Sequence, residues 1–411
     1  MSPLAVLICV AVVLSAGLGV YLRRRQMAQV AMYRDAVPAD FASKVTLEEH
    51  RRAADYTLAK TRFSTVETVY DGLVSLAWLL LWLAPLYGIV AQATAPGLAR
   101  SVALVVAFGV LSAVLTLPFE LANTFWLEAR FGFNRQGLRD FLVDWLKTGA
   151  LELAISAPLL LAMFALLRAA PDRWWLYAYV GFLVFMVAMM AIYPTFIAPL
   201  FNKFSPLPDD DMRHRLESLL QKCGFESRGL FVMDASRRSS RGNAYFTGFG
   251  RAKRIVFFDT LLAKHTPQEI ESILAHELGH FKFGHIRQML VLTAAAAFIG
   301  FAVLYWALGP DGLAAAFGMP QEPALALIIA LLAKEPVMHI LSPLISWRSR
   351  RAEFEADDFA KAMVGKEPMI SALTQLTRDN LATLTPDRLY AMFYYSHPPV
   401  PMRVAHLRDA A

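Results

Sequence analysis

The run His276-Glu277-Leu278-Gly279-His280 holds the densest chemistry in the chain. On an α-helix, residues four apart differ by only about 40° around the axis, so both imidazoles project from one face and can hold one zinc ion. Glu277 stands beside them, where a carboxylate can take the proton from a water that attacks a carbonyl. A His-Glu-x-x-His run arises by chance in roughly one such chain in a hundred. Zinc that keeps a position open for water needs a third protein ligand. The extended pattern with a Gly and a further His downstream fails, because Phe283 and Ile286 occupy those positions. His285 would lie about 140° from His280 on a continuing helix, off the ligand face, and reads as a packing or surface residue.

Two more clusters carry chemistry-bearing residues. In Glu353-Phe354-Glu355-Ala356-Asp357-Asp358, Glu353 and Asp357 again share a helical face. Either Glu353 completes the metal site while Asp357 accepts a hydrogen bond from a ligand histidine, or the acidic run after Arg348-Ser349-Arg350-Arg351 is a solvated helix start. Ser396-His397-Pro398-Pro399, with Arg403 and His406 behind it, either offers His397 to stabilise an oxyanion or is a structural loop. The two cysteines, Cys9 and Cys223, allow neither a disulfide framework nor a cysteine-based zinc site.

The helix that carries the histidine pair has a recognisable start. Thr266-Pro267-Gln268-Glu269 combines a capping Thr, Pro at the first helical position and Glu at the third. Upstream, 229–234 and 254–258 are rich in Val, Ile and Phe between polar turns, and 243–249 lies between them, punctuated by Gly242, Gly248 and Gly250. These segments predict a short sheet.

The remainder of the chain is unlike a soluble protein. Of 411 residues, 56% are hydrophobic and only 18% charged, and the mean hydropathy is +0.42, against about 45–50% and about 25% in soluble domains. With 22 Gly and 22 Pro, it is not a low-complexity or collagen-like chain. Windows long and apolar enough to span a bilayer occur at 1–22, 72–99, 101–119, 148–167, 174–202 and 288–310. Residues 1–22 precede their basic cluster, the wrong order for a cleaved signal, and read as a retained anchor. A seventh span, 323–347, contains Lys334, Glu335 and His339, which must either pair at a helix–helix contact or face a wet cavity.

Orientation follows from the basic residues. Arg23, Arg24, Arg25, Arg34, Lys44, Arg51, Arg52, Lys60 and Arg62 crowd the first long loop and mark it as cytoplasmic. Seven crossings then put 120–147, 203–287 and 348–411 on the same side, with every chemistry-bearing cluster. The net charge of +6 is thus a topology signal, and no nucleic-acid partner is needed to explain it. The predicted organisation is an anchor and basic segment (1–66), helices two to five (67–202), a catalytic segment (203–287), helices six and seven (288–347) and a C-terminal catalytic segment (348–411).

Taken together, these motifs make the chain resemble the type I CAAX prenyl endopeptidases, integral membrane zinc metalloproteases of the gluzincin kind. The resemblance rests on the HELGH helix, Glu353-Phe354-Glu355-Ala356-Asp357 with Phe359-Ala360, and Ser396-His397-Pro398 to Arg403. It rests also on Gly132-Phe133-Asn134-Arg135-Gln136, on 193–208 (YPTFIAPLFNKFSPLP) and on Asn243-Ala244-Tyr245-Phe246-Thr247-Gly248-Phe249, and covers about 50 to 408. It implies a mainly α polytopic fold, seven helices around a water-filled chamber, with a small α+β protease unit at its cytoplasmic end. It implies one zinc per chain on His276, His280 and Glu353, with Glu277 as base and Asp357 supporting a ligand. His397 and Arg403 become transition-state and support groups, and Asn243, Ala244 and Tyr245 an edge strand aligning the substrate backbone. The implied substrate is a peptide or protein carrying a prenylated cysteine near its C-terminus. Glu355 departs from the family pattern, where an uncharged residue is common. The Ala- and Leu-rich chain shows no endoplasmic-reticulum retrieval signal, which suggests a bacterial inner membrane; the endoplasmic reticulum would be the eukaryotic equivalent. The rival readings are a quality-control protease acting on unprenylated substrates and a transporter or channel without proteolysis.

Overall fold

The computed structural model describes residues 1–225, 229–247 and 254–409; Gly248, Phe249 and Gly250 of the predicted sheet region lie outside them. Seven helical stretches are long and apolar enough to cross a membrane. They are α1 (Pro3–Met32), α2 (Leu47–Ala77) continuing into α3 (Leu83–Ala93), α4 (Leu98–Ala122), α5 (Leu138–Ala169), α6 (Trp174–Ile192), α10 (His285–Ala307) and α12 (Pro323–Val364). All seven predicted spans are present, but several helices overrun the charge-free windows. The window 72–99 is the far part of a helix that begins at Leu47, started by a capping box in which Thr46 and Glu49 exchange hydrogen bonds. Once nucleated, a helix propagates through charged residues wherever water can reach them. The junction of α2 and α3 is a π-helical turn, Trp78–Trp82. Pro85, just beyond it, cannot donate to the carbonyl of Leu81, and the wider turn accommodates the lost bond.

The spanning helices close a ring: α1 packs on α2, α3 on α4, α4 on α5, α5 on α6, α6 on α10, α10 on α12, and α12 on α1. Only 6% of the apolar stretch of each of α4, α5 and α6 is buried, and none of that in α10. A wall one helix thick must show one face to lipid and the other to an interior chamber. Lys334 and Glu335 lie 3.8 Å apart with side chains 59% and 76% exposed, so they are not buried at a helix–helix contact. Charges exposed at that depth need water, which the chamber provides. At one end the ring is filled by apolar packing of Ile8, Trp78, Leu83, Leu104, Phe164, Leu325 and Ile329.

The protease unit sits at the opposite end. It contains β1 (Phe204–Pro206), α7 (Asp211–Lys222), β2 (Leu230–Met233), β3 (Ala244–Thr247), β4 (Arg254–Phe258), α8 (Asp259–Leu262) and α9 (Pro267–Lys282). The short α11 (Leu313–Ala316) belongs to the far end, and α13 (Lys366–Asp379), α14 (Arg388–Tyr394) and α15 (Val400–Asp409) complete the unit. The strand order is β1-β2-β4-β3, with β2 and β4 parallel and β3 antiparallel to β4, Ala244 opposite Phe257. Ala244, Phe257, Ile270, Leu274, Leu278, Ile370 and Leu373 share one core, which fixes α9 between the sheet and α13.

Candidate active site

Two helices build the site. The predicted capping box starts α9: Thr266 N–H donates to Glu269 Oε2 at 2.8 Å, and Glu269 N–H to Thr266 Oγ1 at 3.4 Å. Ser371 of α13 donates to the other Glu269 oxygen at 2.6 Å, tying the helix start to its neighbour. Against α9 lies the part of α12 that projects beyond its span. At the crossing a Cβ on Gly279 would stand 2.9 Å from Ala356 Cα, so only glycine lets the backbones approach this closely.

The approach brings Glu353 to the histidines. His276 Nε2 and His280 Nε2 are 3.2 Å apart, His276 Nε2 is 3.4 Å from Glu353 Oε2, and His280 Nε2 is 3.3 Å from Glu353 Oε1. The two imidazoles meet different oxygens of one carboxylate, and one ligand atom from each of the three residues lies within 4.8 Å of the others, a donor set of two nitrogens and one carboxylate that suits zinc. Glu353 is buried and its Oε2 has no hydrogen-bond partner among the described residues, a cost that a metal ion would remove. Among those residues this is the one His/Cys/Asp/Glu group compact enough to hold an ion.

Further groups stand behind these three. Asp357 Oδ1 lies 2.9 Å from His276 Nδ1, as the helical spacing of the acidic run allowed, and Arg403 grips the same carboxylate at 2.8 and 2.5 Å. Arg403 also reaches Glu353 Oε2 at 3.5 Å and stands 3.3 Å from His276 Nδ1, and it is buried. His397 Nε2 is 3.2 Å from Glu353 Oε1 while its ring is 62% exposed, which leaves it facing any molecule that enters. His406 pairs with Asp358 at 2.8 Å. Glu353 is thus buried beside the two histidines rather than solvated, and His397 stands next to it.

Burial pushes the Glu277 carboxyl above the usual carboxylate range, although His276 and His280 pull it the other way. Burial also opposes charge on His276, but hydrogen bonds to Asp357 and Glu353 outweigh it and push the imidazole up to about 9. Metal would have to displace that proton. Ala244 and Tyr245 open β3, with Asn243 just before it; β3 is the edge of the sheet, and its outer side has no partner strand among the described residues.

Sequence reasoning missed two things. His285 is not turned away: its Nδ1 is 3.0 Å from His280 Nδ1. The 140° expectation assumed one continuous helix, whereas α9 ends at Lys282 and Gly284, at φ 67°, restarts the chain so that His285 opens α10. The second omission is a strap. Asn134 and Ser239 form a bridge, and Arg135 N–H and Ser240 N–H bond across to Arg238 and Phe133. Arg241 pairs with Glu128 at 2.6 Å, and Arg238 with Asp144 at 2.8 Å. The α4–α5 loop thus holds the segment that leads into β3, and the only sequence signal was the Gly132 to Gln136 stretch of the family resemblance.

A helix-borne histidine pair and a carboxylate from a second helix, set at the mouth of a seven-helix ring, define a membrane-embedded zinc metallopeptidase. Family models divide the chain: one described as CAAX prenyl protease N-terminal, five membrane helices, matches 26–203. Another, peptidase family M48, matches 206–411. The chain belongs to peptidase family M48, with the CAAX prenyl protease 1 proteins. It is 33% identical to the CAAX prenyl protease 1 homolog of Arabidopsis thaliana, over 93% of this chain and 92% of that one. Identity to CAAX prenyl protease 1 of Saccharomyces cerevisiae is 31%, over 94% and 91%. The crystal structure of S. mikatae Ste24p superposes with a TM-score of 0.92 at 28% identity, covering 99% of each chain.

Proposed function

We propose that this enzyme hydrolyses peptide bonds near the C-terminus of prenylated CAAX-type substrates, using one zinc per chain held by His276, His280 and Glu353. The observation that carries the metal assignment is the convergence of His276, His280 and the buried Glu353, one ligand atom of each lying within 4.8 Å of the others. The names of the relatives supply the substrate class. The ion, when bound, supplies Lewis acidity that polarises a carbonyl and acidifies water. Glu277 takes the proton of the attacking water, for which burial makes its carboxylate a stronger base than usual. The same carboxyl then holds that proton beside the departing amine. His397 donates to the oxyanion that develops as the carbonyl is attacked. Asp357 fixes the ring of His276 and Arg403 holds Asp357 and Glu353 in place. The free edge of β3 at Asn243, Ala244 and Tyr245 aligns the substrate backbone by strand addition. The five-segment organisation inferred from sequence places 203–287 and 348–411 as the catalytic parts, facing the cytoplasm by the distribution of Lys and Arg.

The test is mass spectrometry of products from the purified protein given a prenylated CAAX peptide beside its unprenylated twin, with metal analysis of the same preparation. Cleavage of the prenylated peptide by protein holding one zinc is expected, with Glu353→Gln weakening the metal. Equal cleavage of both peptides would move the assignment to a general membrane protease. Loss of zinc from Glu355→Gln with Glu353→Gln unaffected would overturn the ligand choice.

A further inference from the structure

His280 is supported by a second chain of contacts that matches the one behind His276. Behind His276 stand Asp357 and then Arg403. Behind His280 stands His285, buried, its Nδ1 3.0 Å from His280 Nδ1. His285 Nε2 lies 2.9 Å from Glu355 Oε2. Glu355 is flanked in turn by Arg351 Nε at 3.6 Å and Arg348 Nη1 at 3.9 Å.

The proton positions along this chain follow from the geometry. His280 turns Nε2 towards His276 Nε2 and Glu353 Oε1, so a metal needs the lone pair there and the ring proton must sit on Nδ1. The short contact between the two Nδ1 atoms admits one proton. With that proton on His280, His285 Nδ1 is the acceptor, and the His285 proton is on Nε2, where it donates to the Glu355 carboxylate. Every donor in the chain then meets an acceptor. His285 is no fourth ligand, because its Nδ1 faces the far side of the His280 ring.

We infer that His285, oriented by Glu355, is a positioning residue that fixes the tautomer and ring orientation of His280 for metal binding. The inference rests on the zinc reading above. It gives Glu355, 2.9 Å from His285 Nε2, a task that an uncharged acceptor would also perform. It also accounts for the break at Gly284, whose positive φ turns the chain back so that His285 meets His280.

Two variants of His285 split its two contacts. In His285→Asn the side-chain oxygen takes the place of Nδ1, keeping the acceptor for His280 but losing the reach to Glu355. In His285→Gln the amide takes the place of Nε2, keeping the contact with Glu355 but losing the acceptor. Zinc affinity of the full-length chain in detergent is measured by competition with a chromogenic chelator, beside the Tm of the metal-stripped proteins. The expected result is His285→Asn within about threefold of wild type and His285→Gln weaker by about 10–100-fold, with similar metal-stripped Tm. If the order were reversed, or the two variants equal, His285 would merely anchor α10 to α12 and the inference would fall. A wild-type chain that bound no zinc would remove the metal reading itself, and this inference with it.

Discussion

Gly279→Ala tests how the site is assembled without touching any ligand. The added Cβ would stand 2.9 Å from Ala356 Cα, 3.2 Å from Ala356 O and 3.2 Å from Phe359 Cβ. Carbon atoms prefer about 3.5–4.0 Å, and the nearest partners are backbone, so no side chain can swing aside. Helices α9 and α12 would have to separate by about 0.6–1 Å, whereas metal–ligand distances tolerate only about 0.2 Å. Overpacking of this kind costs about 1–3 kcal/mol, against a gain of about 1 kcal/mol from replacing a helical Gly. The expected outcome is a lower Tm and zinc bound about tenfold more weakly, read by thermal unfolding and chelator competition. Ala356→Gly should not rescue the variant, because the atoms in the way are Ala356 Cα and its carbonyl oxygen. Gly149→Ala in α5, where a Cβ would meet nothing within 4 Å, should leave both quantities unchanged or raise Tm. Gly279→Ala with wild-type zinc affinity and an equal or higher Tm would refute the close-approach argument.

Glu277→Gln should lower turnover by at least about 100-fold while zinc content, by metal analysis, stays at wild type; full turnover would end the role of Glu277 as base. His397→Ala should slow turnover by about 100-fold through loss of the oxyanion donor, again with zinc retained. Thr266→Ala should cost about 1 kcal/mol of stability, seen as a lower Tm. Burial disfavours charge on Glu269, but hydrogen bonds from Ser371 and Thr266 outweigh it and hold the carboxyl below its usual range. Its contribution is therefore present above about pH 4.3 and is lost as pH falls through the lower folded value. Glu269→Gln should accordingly show a shallower fall of Tm on acidification. In a chain freed of Cys9 and Cys223, a cysteine at Arg24 or Asp209 should react with an impermeant reagent only from the cytoplasmic side, and one at Asp311 only from outside; labelling of position 209 from outside would reverse the orientation.

Much of this fold was legible because lipid and helix geometry leave strong periodic marks. Seven apolar windows became seven spanning helices, and Thr266 with Glu269 predicted the start of α9 at the residue where it begins. His276, His280, Glu353 and Asp357 could be paired by a spacing of four, since that spacing holds within one helix whatever surrounds it. What sequence spacing could not supply was the relation between helices. Nothing in the composition tells that Gly279 meets Ala356, because that meeting depends on the crossing of α9 and α12. The strap of Asn134, Ser239 and Arg241 likewise joins segments about a hundred residues apart.

His285 shows where helical arithmetic ends. An angle around an axis has meaning only while one axis persists, and Lys282-Phe283-Gly284 ends α9 before His285 is reached. A glycine four residues beyond the second histidine of His-Glu-x-x-His, directly after Phe-Lys-Phe, could have been read as a C-terminal stop, because Gly after a helix favours the left-handed conformation. On that reading His285 opens a second helix, its direction is set by the turn, and its proximity to His280 becomes a matter of tertiary geometry. The same residue that helical spacing reads as a packing or surface residue lies, in the folded chain, 3.0 Å from His280. Zinc affinity, read by chelator competition, should therefore respond to His285→Gln more strongly than to His406→Gln, since His406 pairs with Asp358.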